Sequence, residues 1–146
     1  MQRVERASVD VVADDGSRTA VGAIGPGLCA LVGVTPSDGE AAAVKLAAKI
    51  WNLRVMADDA GVMNRSVADT TGNVLVVSQF TLYGNTEGGR RPSWVDAARP
   101  EQAEPLVERV VDELRRLGAT VATGRFRTHM AVSLVNDGPV TLMLEV

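Results

Sequence analysis

Two uninterrupted apolar runs limit what this chain can fold into more than any other feature. Residues 28–34 carry no charged side chain, and Val74-Leu75-Val76-Val77 opens a second run, 74–82, which is the strongest strand signal in the chain. A strand with one wet face alternates apolar and polar residues, so a continuous run calls for cover on both faces. Helical patterns follow each run. Ala43, Leu46, Ala47, Ile50 and Leu53 recur at helical spacing, with Ser37 and Glu40 placed as a capping box and Trp51 at the stripe's edge. Beyond Pro100, a second stripe comprises Leu106, Val107, Val110, Val111, Leu114 and Leu117. Pro105 is expected in that helix's first turn and Gly118 at its end.

Further strands are expected at 4–12 and 19–24, joined through Asp14-Asp15-Gly16-Ser17, and at 120–124, 130–135 and 140–146. Asn136-Asp137-Gly138-Pro139 reads as a turn between the last two. The order predicts a single α/β domain over residues 1–146, with mixed β-sheet, two main helices on one face and strands over the other. Aromatic residues make up only 3% of the chain, so the core must come from Val, Leu, Ile and Ala. The connection 83–99 bears Gly and Arg and is long for a compact domain, which marks it as functional.

Charge narrows the function. Fifteen basic against eighteen acidic residues give a net charge of −3, which argues against a binder held to nucleic acid by overall charge. A local grip on one RNA end stays open, because Arg90, Arg91, Arg99, Arg125 and Arg127 fall in loop-like segments. The single cysteine, Cys29, cannot form an internal disulfide and reads as a small buried filler. One cysteine and one histidine cannot make a usual structural zinc site. No secretory signal opens the chain, and no apolar run approaches the ~20 residues of a membrane span. A soluble, cytoplasmic protein is expected, with no metal or cofactor.

Conventional catalytic sets are missing. A Ser-His-Asp arrangement would have to recruit His129, the only histidine. There is no glycine-rich phosphate loop and no nucleophile elbow. Two segments remain. Ser78, Gln79 and Thr81 end an apolar strand with polar groups that must find partners or face a pocket. Asn136-Asp137-Gly138-Pro139-Val140-Thr141, taken alone, is an ordinary turn.

Together, Ser78-Gln79-Phe80-Thr81-Leu82 and Asn136 to Thr141 closely resemble the paired motifs of the D-aminoacyl-tRNA deacylase family. Gln2-Arg3-Val4, Gly61-Val62-Met63-Asn64, Arg91-Pro92-Ser93, Thr123-Gly124-Arg125-Phe126 and Val132-Ser133-Leu134-Val135 match in order and spacing. The resemblance implies a homodimeric hydrolase that cleaves the ester between a D-amino acid and the 3′-terminal adenosine of tRNA, without cofactor, membrane or DNA partner. Ser78, Gln79, Phe80 and Thr81 would line the site. Gly138 and Pro139 would form a Gly-cis-Pro motif entering the partner subunit's site, supported by Arg3, Asn136 and Thr141.

A cis X–Pro peptide lies only about 0.5–1 kcal/mol above trans, so a fold can hold it. Its aligned carbonyls would form a rigid wall that rejects the L-form by collision, while glycyl-tRNA would pass. Water attack assisted by the RNA 2′-hydroxyl is favoured over a Thr81 nucleophile, since an unactivated hydroxyl is weak. Two departures from the family pattern stand out: the chain reaches Gln2-Arg3-Val4 almost at once, and Thr128-His129 replace small or acidic residues. The competing classes are a non-catalytic module for RNA ends and a small-molecule esterase.

Overall fold

The computed structural model describes residues 1–146. Its elements are β1 (Gln2–Val12), β2 (Arg18–Ile24), β3 (Gly27–Val32), α1 (Glu40–Asn52), β4 (Met56–Ala57), β5 (Met63–Arg65), β6 (Asn73–Ser78), α2 (Pro100–Leu117), β7 (Thr120–Thr123) and β8 (Met130–Thr141). Single 3-10 turns occur at Val67–Asp69 and Phe80–Tyr83.

The two apolar runs become neighbouring parallel strands, β3 and β6, in register from Leu28↔Val74 to Val32↔Ser78. Pleating sends alternate side chains to opposite faces. Leu28, Ala30, Val32, Val74 and Val76 meet Ala43, Ala47, Ile50, Val110, Val111 and Leu114 from the two helices. Cys29, Leu75 and Val77 point the other way and pack with Val4, Ala7, Val9 and Ile24. The fold is mixed α/β, with helices on one face of the central strands and further strands over the other. Full burial of each Leu or Ile here is worth about 1.5–3 kcal/mol, which explains how so few aromatics suffice. Cys29 is fully buried, and burial pushes its thiol pKa up, as suits a filler. No helix is long and apolar enough to cross a membrane.

The main sheet runs β2-β1-β3-β6-β7, and β8 also pairs with β1. Its far end curls until β2 lies against β7. A Cβ on Gly22 would stand 2.6 Å from the Thr123 carbonyl oxygen, so only glycine permits that approach. β1 joins the layers: Gln2–Val4 pair with β3, Ala7–Val12 pair with β2, and β8 runs antiparallel along most of its length.

Several expectations are corrected. β8 is one strand through Asn136 and Pro139, and it stops at Thr141. The tail beyond it is held to Met1 by reciprocal backbone hydrogen bonds with Leu142, both 2.9 Å. The second apolar run stops pairing at Ser78, and Phe80–Tyr83 forms a 3-10 turn in place of strand. The Gln79 N–H still donates to the Val32 carbonyl at 2.7 Å. β3 ends at that residue and offers no further partner. Ser37 and Glu40 form no capping box. Gly39 is the α1 N-cap without a side-chain bond, and Asp38 accepts the Thr35 N–H instead. A capping box closes elsewhere, between Ser66 and Asp69. Pro105 lies past the first turn of α2 because Pro100 already occupies the helix start. Its missing N–H forfeits one intrahelical bond on an exposed face. The helix ends at Gly118 in the left-handed conformation.

Candidate active site

Ser78 is the last residue of β6, and the chain turns immediately behind it. This turn places Ser78, Gln79 and Phe80 on the wall of a cleft of about 650 Å³. The other walls come from Val32 and Val34, from Trp94 to Ala103, and from Phe126 to Val132. Phe80 is 53% exposed and meets Trp94 edge to face, with ring centroids 5.2 Å apart. Thr81 is exposed on the turn, and its hydroxyl accepts the Gln79 side-chain amide. An amide cannot take a proton from a hydroxyl, so this contact positions Thr81 and does not activate it. Phe80 and Thr81 open the 3-10 turn, where backbone N–H groups have no acceptor within the turn itself.

The connection 83–99 is more ordered than a free loop. Asn85 and Ser93 exchange backbone hydrogen bonds of 2.9 and 2.8 Å, and Ala98 N–H donates to the Val34 carbonyl at 2.8 Å. These ties bring Trp94 against the cleft.

Gly138 and Pro139 lie elsewhere. Between the pairs Gln2↔Thr141 and Val4↔Asn136, Arg3 alone faces the four residues 137–140, so the motif bulges out of the β1–β8 ladder. The Asn136 side chain spans the base of the bulge, donating to Thr141 Oγ1 at 2.8 Å and accepting the Val140 N–H at 3.2 Å. Arg3 closes the other side. Its Nη1 donates to the Val55 carbonyl at 2.8 Å, and its Nε stands 2.9 Å from Asp137 Oδ2. The Gly138–Pro139 peptide is cis, and Gly138 has φ +121°. A Cβ at Gly138 would fall 2.7 Å from Val140 Cγ2 and 3.0 Å from Arg3 Nη2. Both Gly138 and Pro139 are exposed, and neither lines the cleft of Ser78–Phe80. Arg3, Asn136 and Thr141 therefore gather around one motif, while Ser78, Gln79 and Phe80 line a separate cleft of the same chain.

Sequence reasoning did not name Trp94 or Met130 as site residues, nor give Phe126 a role there, and Arg127 entered only as one of five loop arginines open to an RNA end. Phe126 is one of only two phenylalanines in a chain poor in aromatics, and that scarcity was the available signal. Met130 Sδ accepts the Arg125 N–H at 3.4 Å, which holds the turn that carries Phe126.

A family model described as D-Tyr-tRNA(Tyr) deacylase matches residues 1–145. The chain belongs to this family. It is thereby a member of an enzyme family, as the paired motifs led us to expect. A D-aminoacyl-tRNA deacylase of Heliobacterium modesticaldum is 59% identical over 145 residues, covering 99% of this chain and 93% of the relative. One of Streptomyces avermitilis is 52% identical, covering 99% and 97%. Among solved structures, one described as the c-Myc DNA Unwinding Element Binding Protein superposes with a TM-score of 0.87 at 38% identity, covering 99% of this chain and 95% of that one. Another, described as a probable eukaryotic D-amino acid tRNA deacylase, gives a TM-score of 0.75 at 14% identity, a likeness of fold.

Proposed function

We propose that this deacylase-family member hydrolyses the ester linking a D-amino acid to the 3′-terminal adenosine of tRNA in the cytoplasm, and that two copies share their sites. The observation that carries the shared site is the separation of its halves. Gly138 and Pro139 project from the β1–β8 ladder but do not line the cleft of Ser78, Gln79 and Phe80 in the same chain. A motif that must meet that cleft meets the one on a second copy.

In this reading, the apolar cleft takes the terminal nucleoside, and Phe80 and Trp94 offer it aromatic surface. Water adds to the ester carbonyl, the N–H groups of Phe80 and Thr81 receive the developing oxyanion, and the bond to the ribose oxygen breaks. The products are free D-amino acid and tRNA. Thr81 is paired with an amide and has no base to activate it, and His129 is the one side chain lining the cleft with the chemistry of a general base. In this reading the RNA 2′-hydroxyl next to the ester assists the water, as the family resemblance implies. The Gly138–Pro139 backbone of the partner subunit blocks an L-side chain, and glycine has nothing to be blocked.

The test is deacylation of matched D-, L- and glycyl-tRNA by purified, metal-free protein. D-aminoacyl- and glycyl-tRNA should be hydrolysed and L-alanyl-tRNA spared. The last two differ by one methyl, which an attractive pocket discriminates by only ~1–3 kcal/mol, so near-complete protection of L-alanyl-tRNA supports a steric wall. Equal cleavage of both refutes it. A mixed dimer of a Phe80 variant and a Gly138 variant should regain one working site, and mixtures that stay dead refute sharing.

A further inference from the structure

Arg127 is the only residue other than glycine with a left-handed backbone, at φ 56°. It sits in the turn Arg125–Thr128, closed by Thr128 Oγ1 donating to the Arg125 carbonyl at 2.9 Å. Glycine adopts this conformation freely, whereas a side chain with a Cβ does so at a cost. The guanidinium recovers nothing within the chain: it makes no ion pair and no hydrogen bond. Strain carried by an unpaired cation on a cleft wall points to a ligand.

The cleft's charge narrows the ligand. Arg127 and His129 are the only ionisable side chains that line it, and no carboxylate does, although acidic residues outnumber basic ones in the chain. Glu104, Glu108 and Asp112 of α2 face a separate recess beside Ser78 and Phe126, where Arg115 and Arg125 accompany them. The cleft wall is therefore locally cationic on a protein of net charge −3.

We propose that Arg127 is a substrate-binding residue that takes the phosphodiester on the 5′ side of the terminal adenosine. The proposal rests on the reading of this cleft as the deacylase site. In that substrate, the phosphodiester is the anion nearest the ester, and a guanidinium suits its paired oxygens. Arg127 thus favours a nucleoside attached to an RNA chain over a free aminoacyl nucleoside.

The test compares two minimal substrates, D-aminoacyl-adenosine and the same ester on a cytidylyl-adenosine dinucleotide, using wild type, Arg127→Gly and Arg127→Lys. Wild type should prefer the dinucleotide by roughly tenfold in kcat/KM, mostly through KM, and salt should erode the preference as expected for about one phosphate contact. Arg127→Gly should abolish the preference by slowing the dinucleotide far more than the adenosine ester, and should melt no lower than wild type, because glycine relaxes the turn. Arg127→Lys, which keeps both charge and backbone cost, should retain part of it. A wild type without the preference overturns the proposal, as does an Arg127→Gly variant that slows both substrates equally. A wild type that cleaves neither ester overturns the reading of the cleft itself, and the proposal with it.

Discussion

Arg3 Nε lies 2.9 Å from the carboxylate of Asp137, tying the first strand to the residue just before Gly138. The same guanidinium donates to the Val55 carbonyl, so it braces the bulge against the segment that follows α1. The Arg3 side chain is 11% exposed and Asp137 47%, which leaves the contact partly screened by water. Arg3→Ala should lower stability by about 1.5–3 kcal/mol, the range for hydrogen bonds to charged groups, and should weaken discrimination between D- and L-esters. Arg3→Lys should not restore both contacts, because an ammonium lacks the planar fork. Denaturant midpoints and the D/L rate ratio measure the two effects, and an Arg3→Ala variant with wild-type chirality would show that the brace is idle.

Gly138 tolerates no side chain without displacement of its neighbours. A Cβ there would stand 2.7 Å from Val140 Cγ2 and 3.0 Å from Arg3 Nη2, on a backbone with φ +121°. Gly138→Ala should cost about 1–3 kcal/mol through the backbone conformation alone and reduce D-aminoacyl-tRNA hydrolysis sharply. Retention of both wild-type stability and rate would mean that the bulge yields easily.

Thr81→Ala should keep deacylase activity within about tenfold of wild type, whereas loss of a true nucleophile removes many orders of magnitude. The reason is its partner: the Thr81 hydroxyl meets the Gln79 amide and no base. Single-turnover rates and a mass-spectrometric search for an acyl-Thr81 adduct decide this, and a trapped adduct would overturn it.

Glu113 is buried on α2 and held by Arg116 and Arg109. The hydrogen bonds and charge of Arg116, with those of Arg109, lower its carboxyl pKa. A depressed folded-state pKa stabilises the fold fully above the unfolded value, about 4.3 for Glu. That stability is lost as pH falls through the lower folded value. Glu113→Gln should therefore melt below wild type at pH 7, and the gap should close only as pH drops below about 4. A gap that closes between pH 8 and 6 would assign the effect to another group.

What consecutive residues decide among themselves was legible in the sequence. The two-sided cover of Leu28–Val32 and Val74–Val77, the apolar stripes of α1 and α2, and the helix stop at Gly118 all follow from period and local backbone preference. Where a strand ends is a property of its neighbour. The run 74–82 promised strand throughout, but β3 stops at Val32, and past that last hydrogen bond the chain turns and sets Phe80 against Trp94. The segment 136–139 promised a break between strands, but β1 pairs on both sides of it and β8 continues through the bulge over Arg3. The Arg127 turn shows the same division: its residues are local, but only the tertiary structure sets that side chain on the wall opened behind Ser78. Local patterning specifies which faces must be buried, and the lengths and positions of the partners decide where pairing runs out and a cleft can open.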